Sequence, residues 1–229
     1  MTHILDNPIW NAFNTTNKSL AEGNECAKYC KRSVSAFAGM RNNSEADFES
    51  LYALSELNTP VVLFTPGEIP IPANWRINLQ KNIIQMVYEG SIPPGESDQP
   101  FVALSDKDVP AMVSLADLTK PGPFLSRTIE FGHYEGIFSG DELVAMAGQR
   151  MQPDPYTEIS AVCTHPDHTG KGYAVTLIRN QVQRILGLSR VPFLHVFLDN
   201  PAQHLYRKLG FKDRREMTVY VLQKVVLPA

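Results

Sequence analysis

Between residues 156 and 188 the chain changes its hydrophobic period, and that change limits the possible folds more than any other feature. "YTEISAVCT" (156–164) alternates apolar and polar side chains and is rich in β-branched residues, the pattern of a half-buried strand. Ala174, Leu177, Ile178, Val182, Ile185 and Leu186 then recur at steps of three and four, which is one face of an amphipathic helix. The connection, "THPDHTGKGYA" (164–174), carries Gly170 and Gly172. A strand running through glycines into a helix demands an α/β architecture. It also leaves a helix N-terminus whose unsatisfied N–H groups, together with the positive end of the helix dipole, attract an anion. Glycine there lets a phosphate approach bare backbone.

The same reading extends along the C-terminal half. "YEGIFSG" (134–140), "DELVAMAGQRM" (141–151) and "YTEISAVCT" read as three strands joined by Ser-Gly-Asp and Gln-Pro-Asp-Pro turns, spaced for antiparallel hairpins. Ahead of them, "FVALS" (101–105) reads as a strand and "VPAMVSLADLT" (109–119) as a helix capped by Asp106 or Asp108. "KPGPF" (120–124) breaks that helix, and a short helix is expected within "SRTIEFGHYEG" (126–136). After the glycine loop and its helix come a strand, "PFLHVFL" (192–198), a helix, "PAQHLYRKL" (201–209), and a closing strand ending in "MTVYVLQKVV".

The N-terminal half is α/β material without an evident chemical cluster. "NPIWNAFNTTNKSLAEG" (7–23) reads as a helix, with Pro8 early and Gly23 past its end. "SVSAFAGM" (33–40), "PVVLFTP" (60–66) and "IIQMVYE" (83–89) read as strands, and "EADFESLYALSEL" (45–57) as a helix. "EGSIPPGESDQP" (89–100) has linker composition, which places an N-terminal domain over 1–90, a linker over 91–100 and a second domain over 101–229.

Bulk numbers exclude several classes. In 229 residues, 43% hydrophobic and 20% charged, the net charge is −3 and no basic stripe occurs, so nucleic acid is not an expected partner. No apolar run reaches the roughly 20 residues of a membrane span, and the N-terminus lacks the pattern of a secretory signal. Three cysteines are too few for a disulfide scaffold, so a cytoplasmic location is expected. Cys26 and Cys30 lie one turn apart if helical, but two thiols without further ligands read as structural, and no metal is expected.

Two familiar phosphate loops fail on the residues. A Walker loop needs G-x-x-x-x-G-K-[ST], but here the lysine precedes its glycine and Tyr173 stands where Lys would be. A dinucleotide fingerprint needs a third glycine or small residue, which does not follow Gly170 and Gly172 at the required spacing, and a parallel βαβ unit. "AVCTHPDHTGKGYAVTLI" instead resembles the coenzyme-A loop of the GNAT superfamily of N-acetyltransferases, [QR]-x-x-G-x-[GA]. Gly172 and Ala174 match that pattern, and Thr169 stands in place of Gln or Arg. Downstream, A-x-x-L-Y-x-K-x-G-F runs intact from Ala202 to Phe211, as in the segment that ends the superfamily's core. The resemblance covers roughly 101–224 and extends to a bacterial branch similar to glycine N-acyltransferase-like proteins.

The resemblance implies a mixed α/β fold of GNAT type, with a degenerate second copy in the N-terminal half as the corresponding expectation there. It implies acetyl-CoA as co-substrate and no metal. It also implies direct acyl transfer to a primary amine of a small molecule or amino-acid-like acceptor, by a monomer or homodimer with no membrane or nucleic-acid partner. The implied cofactor contacts are the main chain of Val162, Cys163 and Thr164, the loop Thr169, Gly170, Lys171, Gly172, Tyr173 and Ala174, and Asn200 and Tyr206, with Asp199 competing for the asparagine's place. Tyr206 is the implied general acid and Glu158 the implied base, with His165 and His168 as alternatives. Phe124, Arg127 and Thr128 are the candidate acceptor contacts; Arg127 suits a carboxylate. The principal competing reading is a non-catalytic CoA-binding or ligand-sensing module.

Overall fold

In the computed structural model, which describes residues 3–90 and 100–226, the first helix stops early. Helix α1 covers only Pro8–Asn14 of the expected 7–23. Thr15, Thr16 and Asn17 are poor helix formers, and the Thr15 hydroxyl donates to the Asn11 carbonyl at 2.6 Å as the helix ends. The chain then forms β1 (Ala21–Gly23), β2 (Ala27–Cys30) and β3 (Ala38–Met40), a three-stranded antiparallel sheet. Asn24 makes the first turn, its side-chain oxygen accepting from the N–H groups of Cys26 and Ala27 at 2.9 and 3.0 Å. Cys30 therefore lies on a strand, with its thiol buried and its pKa pushed up to about 12 by that burial. The expected strand over 33–40 shortens to β3, because Val34 and Ser35 both turn back to the Lys31 carbonyl.

Helix α2 (Glu45–Leu54) begins at a capping box between Ser44 and Asp47. Strand β4 (Pro60–Thr65) follows, then β5 (Trp75–Tyr88), which starts eight residues before the apolar run that announces it. Residues 76–82 are mostly polar and exposed, so the strand's first half carries no burial signal and is held by pairing with a neighbouring strand. The linker assigned to 91–100 falls outside the described residues apart from its last position.

The C-terminal half follows the expected order: β6 (Val102–Ala103), α3 (Val109–Thr119), β7 (Glu135–Ser139), β8 (Glu142–Gln149), β9 (Tyr156–Thr164), α4 (Tyr173–Gly187), β10 (Val191–Phe197), α5 (Ala202–Lys208) and β11 (Phe211–Lys224). Strands β6 to β9 form an antiparallel meander, and β10 then joins β9 in parallel. The eight-stranded order is β4-β11-β5-β10-β9-β8-β7-β6. Two strands of residues 1–90 thus belong to the same sheet as the C-terminal strands, and β5 separates β10 from β11. The division read at 91–100 is not a division of the sheet.

Helix α4 lays Leu177, Ile178, Val182 and Ile185 against β8 and β9, all at 1% exposure or less, each contributing about 2 kcal/mol by burial. Gln181, also fully buried, donates to the His133 carbonyl and the Glu135 carboxylate at 2.7 and 2.9 Å and so ties the helix to the start of β7. Among the described residues, no helix is long and apolar enough to cross a membrane.

Candidate active site

Two features of β9 and β10 open the sheet. The strands pair only over Tyr156–Glu158 against Val191–Phe193, although β9 continues to Thr164 and β10 to Phe197. Beyond Phe193 they diverge. On its other side β9 carries a bulge: Cys163 faces Met146 and Ser160 faces Gly148, so Ala161 and Val162 together oppose Ala147. Ala161 has φ 51°, a left-handed conformation that a side-chain-bearing residue adopts at a cost, and it redirects the main chain at the divergence.

At the end of β9 the glycine loop makes a cradle. Gly170 and Gly172 have φ of 77° and 82°, and Gly172 is the residue from which α4 starts. A Cβ added to either would meet no protein atom within 4 Å, so the space beside them belongs to whatever the loop holds. The first backbone bond of α4 runs from the Thr176 N–H to the Gly172 carbonyl at 3.0 Å. Among the described residues, no N–H from Gly170 to Val175 has an acceptor in the protein. Thr164, His168, Thr169, Lys171, Tyr173 and Leu205 complete the hollow, of about 390 Å³. This donor set fits the diphosphate of coenzyme A.

Leu205 lines the hollow, and Tyr206, the next residue of α5, lines a second cavity of about 200 Å³ at the strand divergence. Val162 and Asn200 also line this cavity; Asp199 does not. Asn200 further accepts from the Ala202 N–H at 2.9 Å and so holds the start of α5. Burial raises the Tyr206 phenol to about 12, with Cys163 adding to the effect, so it carries its proton at neutral pH. Cys163 lines neither hollow, is 2% exposed, and burial raises its thiol to about 11.

Glu158 is not where a base can act. It is fully buried; its Oε2 accepts from Arg150 Nε at 2.8 Å, and its Oε1 accepts from Arg150 Nη2 at 2.6 Å and from His195 Nδ1 at 2.7 Å. Burial alone would raise its pKa, but the Arg150 charge and these hydrogen bonds outweigh it and lower the pKa to about 2. The expectation of Glu158 as general base is therefore corrected: a carboxylate so held takes no proton near neutrality. His195 is equally committed. The Gln85 amide nitrogen donates to the Leu5 carbonyl at 2.9 Å and lies 2.9 Å from His195 Nε2, so that ring nitrogen accepts and Nδ1 carries the proton. Burial lowers the His195 pKa, and the imidazole is neutral.

The acceptor contacts also move. Phe124, Arg127 and Thr128 line neither hollow. Phe124 packs edge-on against Tyr134 at 5.6 Å. Arg127 pairs with Glu130 one turn on. The Thr128 hydroxyl donates to the Val34 carbonyl at 2.7 Å and accepts from the Leu125 N–H. Pro121, Gly122 and Pro123, just before them, line the cavity instead. His165 caps its own turn through Asp167, His168 belongs to the glycine hollow, and Lys208 is exposed beyond both. Arg150, His195 and the N-terminal wall formed by Phe37, Val62 and Phe64 were missed by sequence reasoning. Arg150 and Glu158 lie eight residues apart across a hairpin turn, a spacing that carries no motif.

Comparison with known proteins agrees with this geometry. The family model for FR47-like proteins matches residues 134–221. The structure is similar to that of a GNAT-family acetyltransferase homologue of Novosphingobium aromaticivorans, with 33% identity, 98% of this chain and 100% of that chain covered, and a TM-score of 0.91. A GNAT-family acetyltransferase of Colwellia psychrerythraea (12% identity, 86% and 80% covered, TM-score 0.52) shares the fold. So does a conserved Staphylococcus epidermidis protein of unknown function (11% identity, 92% and 98% covered, TM-score 0.57). No curated protein matches the sequence.

Proposed function

The chain belongs to the GNAT family of acetyltransferases, and on that premise we propose that it transfers an acetyl group from acetyl-CoA directly to a primary amine of a small molecule in the cytoplasm. The carrying observation is the adjacency of the two hollows: consecutive residues of α5, Leu205 and Tyr206, line the glycine cradle and the cavity respectively. The cradle's amides suit the diphosphate, and the gap between β9 and β10 suits the pantetheine arm that leads to the thioester.

Each residue has a task in this reading. The N–H groups from Gly170 to Ala174 hold the diphosphate, with Lys171 and Thr169 at its edge. The bulge at Ala161 and Val162 turns main-chain donors toward the arm and the carbonyl oxygen, which gains charge as the amine attacks. The amine nitrogen bonds to the acyl carbon, the carbon–sulfur bond breaks, and Tyr206 gives its proton to the leaving thiolate. Glu158 and His195 have no lone pair to offer, so the amine arrives uncharged, its surplus proton passes to water, and the Tyr206 phenolate takes a proton back from water.

Calorimetric titration with CoA and thiol release from acetyl-CoA in the presence of amines test this. Micromolar CoA binding with amine-dependent thiol release is expected. CoA binding without release on any amine would support the binding-only alternative, and absence of CoA binding would end both.

A further inference from the structure

The cavity crosses the sheet. Ile159, Val196 and Tyr206 belong to the core beneath α4 and α5, whereas Phe37, Phe64 and Val219 belong to the core on the opposite side, and all six line the same space. The CoA cradle lies on the α4 side, so the far end is the place from which an acceptor meets the thioester. That end is built largely by the N-terminal half, through residues 35–37, β4 and β5, together with β11.

Its lining is mostly apolar, with Ser35, Ser160 and Asn200 as its uncharged polar side chains, and carries no acid. The ionisable side chains that line it are Arg150, His195 and Tyr206; no Asp or Glu does so among the described residues. Arg150 lies against two aromatic rings that meet edge-on, its guanidinium carbon 5.0 Å from the Phe37 centroid and 5.8 Å from that of Phe64. Its side chain is 19% exposed while the Glu158 side chain is sealed, so the cavity meets the positive member of a neutralised pair. An ammonium in this space would meet a like charge and no counter-ion, and burying an unpaired charge is strongly unfavourable. With the lone pairs of Glu158 and His195 already engaged, nothing in the cavity removes a proton after binding.

We infer that the acceptor is an apolar, weakly basic amine of the arylamine kind, bound uncharged in a subsite walled by the N-terminal half, and that polyamines and other polycations are excluded. The inference rests on the transferase reading and is tested with aniline, benzylamine and spermidine as probes. Thiol release from acetyl-CoA is expected with aniline at a rate independent of pH from about pH 6 to about pH 8. With benzylamine, kcat/KM should rise about tenfold per pH unit over that range, following the uncharged fraction of the amine. Spermidine should give less than about one hundredth of the aniline rate at neutral pH. Leu79 lines the cavity but is 36% exposed, so Leu79→Glu adds a carboxylate without emptying a core; it should shift the benzylamine-to-aniline ratio at least about tenfold toward benzylamine.

Spermidine outrunning aniline, a pH-independent benzylamine rate, or an unchanged ratio in Leu79→Glu would overturn the inference while leaving the transferase reading intact. A preference for phenylacetyl-CoA over acetyl-CoA on the same amine would also overturn it, by assigning the cavity to the acyl group. Binding of the product-like acetanilide, measured by calorimetry with CoA present, separates the remaining case. Acetanilide binding at least tenfold tighter than N-acetylspermidine, without turnover of any amine, would support the subsite and refute the transferase reading. No such preference would refute the subsite.

Discussion

Replacing Glu158 with Gln isolates the buried pair at the heart of the site. Glu158 is fully buried, Arg150 presents two N–H groups to it, and His195 a third. Removing one partner of such a pair leaves the other charge uncompensated, at a cost of about 3–5 kcal/mol. Linkage gives an independent figure. The Glu158 pKa falls from an ordinary 4.5 to about 2 on folding, and at about 1.4 kcal/mol per tenfold change in proton affinity this corresponds to about 3 kcal/mol. Because the folded value is depressed, this stability is fully present above about pH 4.5 and disappears as pH falls toward about 2. Urea unfolding at pH 7 and at about pH 3 measures both. With a slope of roughly 2–3 kcal/mol per molar, Glu158→Gln should lower the midpoint at pH 7 by about 1.5 M and should lack part of the wild-type acid sensitivity. Adding Arg150→Met, which keeps a side chain against Phe37 and Phe64 without charge, should restore at least about half of the loss. A cost below about 1 kcal/mol, or the same acid sensitivity in wild type and variant, would refute the view that Glu158 acts as a structural anion.

Gly172→Val places a side chain in a left-handed conformation and in the cradle itself; it should weaken CoA more than about tenfold by calorimetry, with about 1–2 kcal/mol lost from stability. Tyr206→Phe should lower kcat about 100-fold or more in the thiol-release assay while CoA affinity stays within about threefold, because the ring still packs on Phe211. Thiol titration of the native protein at pH 7.5 should count only Cys26 rapidly, with Cys30 and Cys163 reacting after denaturation, since both are buried with raised pKa values.

The legible parts of the fold were those in which local period and local chemistry coincide. The β7–β8–β9 meander, α4 and α5 carry their periods and turns in contiguous residues, and Gly170 and Gly172 announce a backbone conformation that few other residues adopt. The N-terminal half misled because its elements are short and held by capping and pairing: Thr15 and Asn17 end a helix whose apolar pattern continues, and residues 76–82 form a strand with little burial to mark it. Glu158 misled for a related reason. A carboxylate at the start of a strand looks the same in sequence whether it faces solvent or is clasped by Arg150 and His195.

The chain's order of residues determined by itself the strand, glycine loop and helix that make an anion cradle, because helix termini and left-handed glycines follow from local geometry alone. Only the tertiary structure decided the cavity that crosses the sheet. Inserting β5 between β10 and β11 brings Phe37, Phe64 and Arg150 to one cavity, and contacts between residues more than a hundred positions apart follow from sheet pairing, which no local pattern encodes.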